Sequence, residues 1–102
     1  MLAHASDIQT VQDIRTYVYE NICEHNKLEP GVFQMTERLL TRGDKPCGIF
    51  FCLHGPRSVR LTAIWETDRN SLLFYDSVGE RTLMTKLTQL PKSVIPQTTI
   101  RR

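Results

Sequence analysis

The sequence predicts an α+β fold, an N-terminal amphipathic helix packed on one face of a four- or five-stranded antiparallel β-meander. Three observations predict it. Apolar residues recur at steps of three and four between Ile8 and Ile22, they alternate with other residues from Cys47 onward, and segments rich in Gly, Pro and Asn interrupt the alternating part at hairpin spacing.

The helix is expected over residues 7–25. Ile8, Val11, Ile14, Val18 and Ile22 line one face. Ser6 and Gln9 have the spacing of a capping box, in which each side chain satisfies a backbone N–H of the other's turn. At the far end Asn26 tolerates the left-handed conformation that stops helices, and His25 and Lys27 suit the negative end of the helix dipole.

Residues 29–43 read two ways. Val32, Met35 and Leu39 fit a helix opened by Pro30 and closed by Gly43, whereas Phe33, Met35, Glu37, Leu39 and Thr41 fit one side of a strand. Thr36 and Thr41 weaken the helix, which favours the strand, turning into the next one through residues 42–46.

Register in the meander follows from requiring that apolar faces match. A two-residue turn at Gly55-Pro56 would mismatch them. A three-residue loop, Gly55-Pro56-Arg57, pairs Leu53 with Val59, Phe51 with Leu61 and Ile49 with Ala63. A four-residue loop over 67–70 sets Trp65 across from Leu72 and Ala63 across from Phe74. A tight turn at Val78-Gly79 then pairs Phe74 with Leu83 and Asp76 with Arg81. The shared apolar face, completed by Leu87, is the expected seat of the helix.

The chain's 102 residues, 24% charged and 40% hydrophobic, suit one ordinary domain able to bury a core without staples. We assign residues 1–90 to that domain and 91–102, with Pro91 and Pro96, to a loosely ordered tail. The longest apolar stretch, Ile49 to Leu53, is five residues, far short of a membrane span. The first residues lack the basic and apolar regions of a secretory signal. Three widely placed cysteines, Cys23, Cys47 and Cys52, fit a reducing compartment, so the expected location is the cytoplasm.

Net charge is +2 but unevenly spread. Residues 1–30 hold five acids against Arg15 and Lys27, and residues 31–102 hold eleven bases against six acids. The plain expectation is that the acidic segment packs against the basic one, and the alternative is a basic working face.

Motifs for chemistry are weak. Cys23, His25, Cys52 and His54 are zinc-type ligands, but Cys23 and His25 point nearly opposite ways on a helix and Cys47 and Cys52 opposite ways on a strand, so no metal is expected. A thiol enzyme would use Cys52 as nucleophile, His54 as base and Asp76 or Asp44 as orienting acid. Residues i and i+2 of a strand stand about 6–7 Å apart, too far for a direct bond. Gly48, Gly55 and Gly79 form no phosphate loop. We expect no enzyme activity and no cofactor. Arg42-Gly43-Asp44 spells an adhesion tripeptide, but a turn explains it.

The remaining feature is the sheet's second face. Phe50, Ile64, Leu73, Tyr75 and Met84 make it too apolar for a solvated surface, and such patches mark interfaces unless the tail, through Val94, Ile95 and Ile100, covers them. The expectation is therefore a protein-interaction or adaptor domain whose contacts are Phe50, Arg60, Ile64 and Tyr75, with His54 and Arg57 at the rim, binding another protein or a second copy. The alternative is a nucleic-acid-binding module using that face with Arg57, Arg60, Arg69, Arg81 and Lys86. Its pI of 8.6 is below that of strongly basic binding domains.

Overall fold

Helix α1 spans Val11–His25, and five antiparallel strands follow in chain order: β1 (Met35–Arg42), β2 (Lys45–His54), β3 (Arg60–Glu66), β4 (Ser71–Tyr75) and β5 (Arg81–Lys86). They form one sheet in the order β1-β2-β3-β4-β5, the meander expected. The computed structural model describes residues 7–91. The expected tail lies, apart from Pro91, outside the described residues, as does Ser6. Among the described residues no helix is long and apolar enough to cross a membrane.

The helix begins four residues later than periodicity suggests. Thr10 is the N-cap, its hydroxyl accepting from the Asp13 N–H while Asp13 Oδ2 accepts from the Thr10 and Gln9 N–H groups. This capping box fixes the start. Ile8 is buried all the same, in the core cluster but ahead of the first turn rather than part of it. At the exit Asn26 stays at φ −107 with its amide bonded to the Ile22 carbonyl, and Lys27 takes the left-handed conformation at φ 57. Asn26 serves as a side-chain cap, so the reversal falls one residue on.

Residues 35–42 are a strand, as favoured. Met35, Glu37 and Leu39 pair with Leu53, Phe51 and Ile49 on the helix side. The hairpin turn is tighter than expected, with Arg42 opposite Lys45 and Gly43 at φ 63. Cys47 is an extra residue in β2, because Leu40 pairs with Gly48 but Thr41 with Pro46. A bulge is where a strand tolerates proline.

The β2–β3 register corrects the expectation by two residues. Leu53 faces Leu61, Phe51 faces Ala63 and Ile49 faces Trp65. The loop is three residues long but sits one place later, a 3₁₀ turn over Pro56–Ser58 closed by the Gly55 N–H on the Val59 carbonyl. Proline occupies the first turn position, where its missing N–H costs nothing. Moving the loop by one residue shifts the pairing by two, which leaves every side chain on its former face, so matching of apolar faces could not detect it.

Between β3 and β4 the pairing is as expected, Ala63 with Phe74 and Trp65 with Leu72. Phe74 also meets Leu83. The Asp76–Arg81 pair does not form. A bulge sets Tyr75 opposite Arg81, and Asp76 instead caps its own turn, Oδ1 accepting from the Val78 and Glu80 N–H groups. A short carboxylate finds turn N–H groups nearer than a cation across the strand.

The core lies between α1 and the sheet. Val11, Ile14, Val18, Ile22 and Cys23 meet Ile49, Phe51, Leu53, Leu61, Ala63, Trp65, Leu72 and Phe74. A helix about 10 Å wide covers little more than two strands spaced about 4.8 Å apart. Leu83, expected in this core, is therefore 41% exposed on the border strand β5, and Val59 is half-buried.

Candidate interaction face

The registers define the outer face row by row. Arg38 of β1 pairs with Phe50, Phe50 with Ile64, Ile64 with Leu73 and Leu73 with Met84, so one line of side chains crosses all five strands. The next row toward the β2–β3 turn is Thr36, Cys52, Thr62 and Tyr75, and beyond it His54 pairs with Arg60. On the other side Gly48, Glu66, Ser71 and Lys86 are joined in the same way. Alternation along each strand keeps these residues away from α1.

The apolar centre is half wet. Phe50, Ile64, Leu73 and Tyr75 are half-buried and Met84 is 58% exposed. The Arg38 guanidinium lies 5.1 Å from the Phe50 ring centroid, within cation–π range. His54 Nε2 is 3.0 Å from the Thr36 hydroxyl. Arg57 stands on the 3₁₀ turn at φ 57, exposed. Of the six expected contacts, Phe50, Ile64 and Tyr75 thus lie in adjacent rows, His54 and Arg60 border them, and Arg57 stands beyond the sheet's end.

Arg38 and Leu40 were missed in the sequence. The signal was present: a strand that turns Met35, Glu37 and Leu39 inward must turn Thr36, Arg38 and Leu40 outward. The helix reading of the same residues concealed it.

The five cations of the nucleic-acid alternative divide between two ends. Arg57, Arg60 and Arg81 lie toward the β2–β3 and β4–β5 turns, and Arg69 and Lys86 at the opposite end, where Arg69 stands 3.9 Å from Glu66. Six residue steps along β3 separate the ends, roughly 20 Å.

Charge is segregated by layer. Helix α1 carries Asp13, Glu20 and Glu24 against Arg15, while the outer face carries Arg38, Arg60 and Lys86 with one acid, Glu66, among the described residues. Of the bases of residues 31–102, Arg38, Arg60 and Lys86 therefore lie on the side of the sheet away from the helix acids, while Arg42, Lys45, Arg57, Arg69 and Arg81 lie in or beside the turns. One ion pair between α1 and the sheet joins Arg15 to Glu37, with Nη2 2.9 Å from Oε2. Hydrogen bonding to Glu37 raises the Arg15 pKa further above its already high value.

The reactive residues are dispersed. Cys23 is buried on the core side of α1 and Cys52 is buried on the opposite side of the sheet, so they do not converge. Among the described residues no three His, Cys, Asp or Glu side chains are grouped to hold a metal ion. The candidate acid Asp76 caps its turn and Asp44 lies in the β1–β2 turn at the other end of the sheet from His54. Arg42 of the adhesion-like tripeptide reaches Asp68, 3.2 Å away. A cavity of about 20 Å³ lined by Ile22, His25, Phe74 and Leu83 has room for about one water.

Compared with family models, with curated proteins and with solved structures, the chain finds no match.

Proposed function

We propose that this chain is a non-catalytic interaction or adaptor domain that binds another protein through the outer face of its sheet. The observation that supports this reading is the row Phe50, Ile64, Leu73 and Met84, four apolar side chains in register across four strands and on the side away from the helix. Contiguous apolar surface of this kind is costly to leave in water and usually marks an interface. Aromatic and arginine anchors, Phe50, Tyr75, Arg38 and Arg60, surround it, the composition that dominates binding energy elsewhere. Three free cysteines suit a reducing compartment, and we propose the cytoplasm.

The test replaces Tyr75 by the photo-crosslinking residue p-benzoylphenylalanine in the full chain, expressed in its native host. Irradiation should give one or a few discrete protein adducts, and Ile64→Thr should weaken them. The same crosslinker at Glu24, exposed on α1, should give none of them. Adducts of equal pattern from both positions, or none from Tyr75, would refute the reading.

A second reading, single-strand nucleic-acid binding, draws on Arg57, Arg60 and Tyr75 sharing one end of the sheet. Retention of a fifteen-residue oligothymidylate that weakens steeply with salt would support it, and no retention at low salt would remove it.

A further inference from the structure

We infer that the segment received by the outer face is an acidic amphipathic helix, an inference that rests on the interaction reading and names its partner. Charge and length together select such a helix. The apolar row from Phe50 to Met84 crosses three inter-strand steps, about 14 Å, while helix residues i to i+7 span about 10.5 Å and present an apolar stripe i, i+3, i+4, i+7 along that line. Cations border the row: Arg38 at its β1 end, Arg60 beyond the Cys52–Tyr75 row, and Lys86 beside Met84. The acid on this face among the described residues, Glu66, lies at its margin beside Arg69. Glutamates or aspartates flanking an apolar stripe would meet these cations, and lysines would be repelled.

Competing occupants fit less well. Two copies set face to face would oppose basic surfaces. Residues 92–102 of the chain carry Lys92, Arg101 and Arg102 and no acid, the same sign as the face. Nucleic acid would need rings free for stacking, but the row's centre is aliphatic and the Phe50 ring is already engaged by Arg38.

Fluorescence anisotropy on the full chain tests this with three fluorescein-labelled probes. One is a fifteen-residue helical peptide with a leucine stripe and glutamate elsewhere, the second its isomer with lysine for glutamate, the third a fifteen-residue oligothymidylate. The glutamate peptide should bind at least about tenfold tighter than the lysine peptide at low salt, with the gap narrowing as salt rises. Ile64→Thr should weaken it about tenfold. The pair Arg38→Glu and Arg60→Glu, both at exposed positions, should reverse the preference, with circular dichroism verifying the fold. Equal affinities, no peptide binding, a tighter oligothymidylate complex, or a dimer in sedimentation that Ile64→Thr dissolves would overturn the inference. Adducts at Tyr75 alongside a failed glutamate peptide would sink the helix while leaving the interaction reading intact; loss of both would sink both.

Discussion

Asn70 ties together more of this molecule than any turn signal announces. Its Oδ1 accepts from the Trp65 indole at 3.1 Å, its Nδ2 donates to the Gln89 carbonyl, its own carbonyl accepts from Leu87, and its φ is 49. Asn70→Ala should destabilise by about 1–3 kcal/mol, since it strands a buried indole donor and forces alanine into the left-handed region. Asn70→Gly should recover the backbone part alone. Urea unfolding followed by the single tryptophan measures both. The thiols make a second residue-scale prediction. Burial pushes the Cys23 thiol above its ordinary range, opposed in part by its contact with Tyr19. The folded chain therefore keeps a proton that the unfolded chain releases, and this contribution to stability is present below the ordinary thiol range and lost as pH rises through the raised value. Titration with a disulfide reagent should modify half-buried Cys47 first and Cys23 only on unfolding. Residues whose role is fixed by a distant partner, such as Asn70 with Trp65 or Tyr19 with the Phe33 carbonyl, left no periodic mark in the sequence.

Elements were legible to the extent that their signals are local. The helix stripe, the strand alternation and the four-residue turn at 67–70 needed no knowledge of the whole. Helix start and β2–β3 register did, because Thr10-Asp13 and Ser6-Gln9 are equally good caps on paper and a two-residue slip preserves every face. Thr10→Ala should cost about 1 kcal/mol and fray the first turn, seen as faster amide exchange at residues 11–14. Gly48 makes a sharper test of β2 against β3. A Cβ there would fall on the Trp65 carbonyl oxygen, a backbone atom that no rotamer change can move aside. Gly48→Ala should destabilise by about 1–3 kcal/mol, whereas Gly43→Asn, in an open turn at φ 63, should cost under about 1 kcal/mol.

For the molecule as a whole, one helix on a five-stranded sheet leaves a broad face uncovered by α1. The candidate face could be named from the sequence because alternation assigns sides reliably, and it was incomplete because β1 was ambiguous, which hid Arg38. The charge asymmetry along the chain was equally visible, but its layout was not: the register is what brings Arg38, Arg60 and Lys86 onto the outer face, opposite the helix that carries Asp13, Glu20 and Glu24. Strand β3 carries two kinds of apolar residue. Leu61 and Ala63 are buried in the core, and on the proposed function Ile64 is kept for a partner.

Thermal unfolding of Ile64→Thr, beside Leu61→Ala, tests that separation most directly. Threonine keeps the branched shape a strand prefers, so the account predicts a Tm within about 4 °C of the parent for Ile64→Thr, against a fall of about 10 °C or more for Leu61→Ala. A fall at Ile64 equal to that at Leu61 would contradict it, showing that the outer face is buried by the chain itself and holds the fold rather than a partner.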